Sequence, residues 1–117
     1  MVTEPKFIQL RVYAEFSEAH KVFVAYCLET GGVVTADDEG TLKDMMKELL
    51  EDELTYALRH KNLTNLFSSP APLDIWKKWY ETAKKMKPES IPLDIDTSEA
   101  FPGQLEVPSE AQMATAS

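Results

Sequence analysis

The stretch Phe7–Phe16, FIQLRVYAEF, constrains the fold more than any other part of the chain. Ile8, Leu10, Val12, Ala14 and Phe16 share one parity and are all apolar; Gln9, Arg11 and Glu15 share the other, with Phe7 and Tyr13. Alternation with a period of two predicts a strand with one buried face and one largely wet face. After the polar Ser17–His20 comes Lys21–Leu28, KVFVAYCL, which is apolar on both parities and reads as a more central strand. The gap is too short for the crossover a parallel pair needs, so the two strands form an antiparallel hairpin. Gly31-Gly32 marks the next turn, and Val33–Ala36 is a short third strand.

A long helix follows. Thr41 stands three residues before Asp44 in the capping pattern, and Asp37, Asp38 and Glu39 add negative charge near the positive end of the helix dipole. Leu42, Met45, Met46, Leu49, Leu50, Leu54, Ala57 and Leu58 recur at helical spacing, and Arg59-His60-Lys61 with Asn62 mark the far end. Some 20 residues of helix would run about 30 Å, enough to cover a three-stranded sheet. Ile8, Leu10, Val12, Ala14 and Phe16 are expected to pack on Leu42, Met46, Leu49 and Leu50.

Ser68–Pro72 breaks the chain, and Ile75, Trp76, Trp79, Tyr80 and Ala83 line one side of a second helix over residues 73–87, ahead of Pro88. Ile91, Leu93 and Ile95 alternate, so residues 90–96 read as a strand that Pro92 confines to a sheet edge. Residues 97–117, rich in Ser, Glu, Ala, Pro and Gln, read as a disordered tail. The expected fold is α+β in two layers: an antiparallel sheet of three to four strands covered by one long amphipathic helix, plus a short second helix. It forms a single domain over residues 5–96, with its core at 7–62.

Composition narrows the function. With 12 Lys and Arg against 20 Asp and Glu the net charge is −8, a poor match for a phosphate backbone. No run of apolar residues is long enough to span a bilayer, and no secretory leader is visible. The lone cysteine, Cys27, makes no internal disulfide and fits the cytoplasm. Cys27 with His20 or His60 is a nucleophile and base pairing on offer, but a cysteine within an apolar strand is normally an inert core residue. Neither histidine has a partner at metal-ligand spacing, and Asp37-Asp38-Glu39 lacks the staggered order of a calcium loop. No glycine-rich phosphate cradle or nucleophile elbow occurs, so neither enzyme activity nor a cofactor is expected. The distinctive patch is Trp76-Lys77-Lys78-Trp79-Tyr80, continued by Lys84, Lys85 and Lys87. It reads first as an amphipathic helix burying its aromatic rings, second as a protein-docking helix through Trp76, Lys77, Trp79 and Tyr80, and third as a nucleic-acid contact over residues 76–87.

Val22–Leu58 resembles the HicB-type antitoxin domain. The residues that carry the likeness are Phe23-Val24-Ala25-Tyr26-Cys27, then Glu29, Gly32-Val33, Thr35 and Thr41-Leu42, with FIQLRVYAEF as the preceding strand. The turn ADDEG is longer than usual for that family, and Asp44-Met45-Met46 replaces its common acidic and alanine positions. A second DNA-binding unit of the kind such antitoxins carry is not legible after Asn62. The resemblance implies a degenerate ribonuclease H-like core without catalytic carboxylates, self-association, and neutralisation of a small basic toxin-like protein. A homodimer or higher oligomer is also expected because Phe7 and Tyr13 would leave apolar surface on the face away from the helix.

Overall fold

The computed structural model describes residues 9–60, 63–95 and 110–116, with only the backbone described at 63 and 64. Its strands are β1 (Leu10–Ser17), β2 (Val22–Cys27), β3 (Val33–Ala36), β4 (Glu89–Pro92) and β5 (Glu110–Thr115). Its helices are α1 (Glu39–Arg59), α2 (Leu63–Leu66) and α3 (Leu73–Lys85). The strands form one sheet in the order β3-β2-β1-β5-β4. The fold is α+β: a mixed, mostly antiparallel sheet covered by the long α1, with α3 as the shorter second helix.

β1 and β2 form the expected antiparallel hairpin, with Val12 opposite Cys27 and Phe16 opposite Phe23. β3 extends it, with Tyr26 opposite Val33. Residues 110–115, expected to be tail, instead form β5, which lies inside the sheet: parallel to β1 with Leu10 opposite Ala111, and antiparallel to β4 with Ile91 opposite Ala111. Among the described residues the sheet therefore has five strands and one parallel pair, not three to four antiparallel ones. β4 is the edge strand that Pro92 requires, though it spans Glu89–Pro92 where 90–96 was expected. Leu93 and Ile95 lie beyond it and still pack against the core. Phe7, Ile8, Asn62 and residues 96–109 fall outside the described residues.

α1 starts earlier than its capping pattern suggests. Asp38, not Thr41, is the N-cap: its carboxylate accepts the Thr41 backbone N–H at 2.7 Å and the Thr41 hydroxyl at 2.9 Å. These bonds hold the Asp38 carboxyl below its ordinary value. α3 ends at Lys85, two residues short of expectation, with Met86 already extended.

The principal core lies between the sheet and α1. Leu10, Val12, Ala14, Ala25, Cys27, Ile91, Ala111 and Met113 meet Leu42, Met46, Leu50 and Leu54, all essentially removed from water. Leu49 is only half-buried, Met45 is exposed, and Phe16 is 39% exposed with its ring edge-on to Phe23. Tyr13 shows the opposite departure. Expected on an open face, it is only 5% exposed, because α3 crosses that side of β1 and β5.

Candidate functional site

The site is built on the polar parity of β1. One strand's alternation sends Leu10, Val12 and Ala14 to α1 and leaves Arg11, Tyr13 and Glu15 for the other face. What seats α3 there is the turn after β2. The backbone N–H of Ala71 donates to the Leu28 carbonyl at 2.9 Å. Gly31 sits at φ +77°, and a Cβ on it would meet the Ser69 carbonyl oxygen at 2.1 Å, so only glycine permits this approach. Pro72 then opens α3, with Asp74 in its first turn and Lys84 and Lys85 in its last, matching the dipole.

Ile75 and Trp79 point inward to Tyr13, Leu28 and Ala114. The Trp79 indole N–H donates to the Gln112 carbonyl at 3.2 Å and that of Trp76 to the Ala71 carbonyl at 3.1 Å. Beneath the helix lies Arg11. Its guanidinium is 5.7, 5.6 and 5.7 Å from the ring centres of Trp76, Trp79 and Tyr80, within cation–π range. It donates to Glu29 at 2.5 Å and to Gln9 at 2.7 Å, while the Arg11 backbone N–H donates to the other Glu29 oxygen at 2.7 Å. Both partners of this ion pair are mostly buried. Burial pushes the Glu29 carboxyl up, and the Arg11 bonds oppose that rise without cancelling it. The Arg11 Nε is buried and has no hydrogen-bond partner among the described residues. Burial, reinforced by Glu15, also pushes the Tyr13 phenol up to about 12. Lys78 closes the flank with an ion pair to Glu15 at 3.3 Å.

The outer side of α3 is open. Leu73 (70% exposed), Tyr80 (45% exposed) and half-buried Trp76 line a shallow groove of about 580 Å³ with Pro70 and Ala71, rimmed by Lys77, Lys84 and Glu81. Of the residues expected to bind a partner, Trp76, Lys77 and Tyr80 thus stand together on this groove. Trp79 faces the core. Sequence reasoning missed Leu73, and it missed Arg11 and Glu29 as the pair beneath the rings. The available signal was an arginine in the middle of an apolar strand, which demands a partner once any element covers that face.

The remaining candidates are dispersed. Cys27 is fully buried under α1, its thiol pushed up to about 11 by burial and in contact with Thr30. His20 lies in the hairpin turn, and His60 caps α1 with its ring against Tyr56. Among the described residues no three His, Cys, Asp or Glu side chains converge as a metal site would need. No helix among them is long and apolar enough to cross a membrane.

Comparison with models of known protein families, with curated proteins and with solved structures found no match.

Proposed function

We propose that this chain is a non-enzymatic protein–protein interaction module that docks its partner on the outer face of α3. The observation that carries the reading is a set of apolar anchors on a rigid mount. Leu73, Trp76 and Tyr80 stand toward solvent on a helix whose inner side is tied down by Trp79, Ile75 and the rings over Arg11. Aromatic anchors held in one rotamer lose little entropy on binding, which is what concentrates affinity in a few residues. The HicB-type resemblance of Val22–Leu58 supplies the partner class, a small basic toxin-like protein in the cytoplasm. In its support stand the net charge of −8 and the exposed acids Asp44, Glu48 and Asp52 along the outside of α1. Such a field speeds encounter with a cationic protein, while the groove supplies the short-range contacts.

The test is titration calorimetry at about 150 mM salt against a small basic protein captured with the tagged chain. One-to-one binding at micromolar strength or better is expected, weakened at least tenfold by Leu73→Asp and by Tyr80→Ala, both at exposed positions. Binding untouched by either substitution would remove α3 from the interface.

The exposed Lys77, Lys84 and Lys85 beside Tyr80 favour a second reading, a nucleic-acid contact. With Trp79 turned inward and Lys78 tied to Glu15, few stacking faces and free cations remain. Duplex and single-stranded probes are expected to bind no tighter than about 10⁻⁶ M at physiological salt. Nanomolar anisotropy titrations abolished by Tyr80→Ala would promote this reading over the first.

A further inference from the structure

The sheet has two edges with opposite characters. At β4, Pro92 has no N–H to offer, Glu89 is paired with Lys43, and Ser90 is bonded to Glu110. Charge and proline are the usual guards of an edge. β3, Val33-Val34-Thr35-Ala36, carries neither within the strand. The Cys27 N–H donates to the Gly32 carbonyl at 2.8 Å, so alternation along the ladder makes Ala25 with Val34 and Phe23 with Ala36 the next bonded pairs. The N–H and C=O groups of Val33 and Thr35 therefore point out of the sheet. Among the described residues no strand lies beyond them.

The surroundings of this edge are acidic at both ends. Exposed Asp37, Asp38 and Glu39 follow directly on Ala36. At the other end α1 comes back over Gly32, where a Cβ would stand 2.9 Å from Leu49 and 3.2 Å from a Glu53 carboxylate oxygen. Exposed Asp52 and Tyr56 share the flank of Leu49, one and two turns further along the helix. The lysines of α1 lie on its other side, where Lys43 reaches Glu89 and Lys47 pairs with Glu51. Asp52 and Glu53 open onto a cavity of about 270 Å³ between α1 and α2, walled by Tyr56, Ala57, Asn65 and Leu66. Burial pushes the Glu53 carboxyl up, and no cation among the described residues opposes the rise.

We propose that β3 takes an extended segment of another protein as an added antiparallel strand, and that this segment carries a Lys or Arg toward each end. The outward groups of Val33 and Thr35 bond its main chain. One cation meets Asp37 and Asp38. The other lays its aliphatic stem on Tyr56, Ala57 and Leu66 and sets its charge between Asp52 and Glu53. The spacing follows from the two ends: Asp38 to Asp52 is about 21 Å of helical rise, which some six extended residues span at about 3.3 Å each. Charge selects the occupant. A second copy would bring Asp38 of one chain against Asp52 of the other. Residues 96–109 of this chain hold Asp96, Glu99 and Glu106 with no Lys or Arg. A cationic strand from outside satisfies the open ladder and the acidic ends together. The edge is separate from the α3 groove, so either surface can bind while the other does not.

The experiment is fluorescence anisotropy of the whole chain with a labelled peptide of about seven residues, alternating threonine and valine with a lysine at each end. A twin closed by glutamates is the comparison. At about 50 mM salt the lysine peptide is expected to bind with a dissociation constant of about 10 to 100 μM, and the twin at least tenfold more weakly. Val33→Pro removes an outward N–H and leaves the β2 ladder bonded; Thr35→Pro does the same if the first fails to fold by circular dichroism. Either is expected to weaken the lysine peptide at least tenfold, as is Asp52→Lys at its exposed position. Leu73→Asp and Tyr80→Ala, in the α3 groove, are expected to leave it unchanged. Amide exchange of Val33 and Thr35 should slow at least tenfold with peptide bound, and that of Val34, already facing Ala25, far less. No binding of the lysine peptide up to about 1 mM overturns the proposal, as does equal binding of the twin or indifference to the proline variants. Binding lost only with Leu73→Asp or Tyr80→Ala moves the peptide to α3 and equally overturns it. So does sedimentation showing that the edge is already taken by a second copy.

Discussion

The two faces of one strand are buried by different chemistry. Toward α1, β1 offers Leu10, Val12 and Ala14 to leucines and methionines, and the cluster is aliphatic and dry. Toward α3 it offers Arg11, Tyr13 and Glu15 to two tryptophans and a tyrosine, with Glu29 compensating the arginine. The first face is held by non-directional burial, which tolerates some repacking. The second depends on specific partners, since either charge left alone under α3 would carry an uncompensated desolvation cost. A polar parity in a strand therefore identifies the kind of contact that will cover it, not whether it is covered.

The comparison breaks most readily at Arg11. Arg11→Met is expected to cost about 3 to 5 kcal/mol at neutral pH, measured by urea denaturation, because Glu29 stays buried without its cation. In that variant the folded-state pKa of Glu29 lies further above its unfolded value, so the destabilisation is fullest above the folded pKa. It should shrink as pH falls through that pKa toward the ordinary carboxylate value of 4.5. A deficit that is flat with pH would show that the ion pair is not the stabilising element. On the aliphatic face, Leu50→Ala should cost about 3 kcal/mol with no such pH dependence. The smallest effect is expected at Tyr80→Ala, about 1 kcal/mol or less, since the residue is already 45% exposed and its ring contacts are with Trp79 and Arg11. A loss as large as that of Leu50→Ala would make Tyr80 a core residue and remove it from the interface.

Much of this was legible because local pattern and tertiary context agree. Alternation in β1, apolar density in β2 and the helical stripe of α1 each name one element, and Pro92 can lie only at an edge. The start of α1 was blurred because Asp37, Asp38, Thr41 and Asp44 can all cap, and local sequence does not choose among them. β5 was hidden for a different reason. Its EAQMAT carries no β-branched run, yet it lies beneath α1 at Ala111 and Met113 and beneath α3 at Ala114. Small side chains suit a strand pressed from both sides, and that preference comes from the neighbours, not from the strand. The groove was readable as far as Trp76, Lys77 and Tyr80. The burial of Trp79 was the first reading of this helix; what could not be seen was its bond to Gln112, a residue of the hidden strand.

The position of β5 also sets an order of events. Leu10 finds Ala111 across about a hundred intervening residues, whereas β1, β2, β3 and α1 join by short connections. Long closures are entropically slow, so the meander and α1 can collapse while one side of β1 still lies open. Trp79 cannot complete its bond until Gln112 arrives, so the packing of α3 is finished only with the last strand. A partly folded chain would then expose the unpaired edge of β1 and the ring-lined underside of α3 together. The late docking of one alanine-rich strand is the step at which this protein is most open to aggregation, and a substitution such as Ala114→Asp would act there by lengthening that interval.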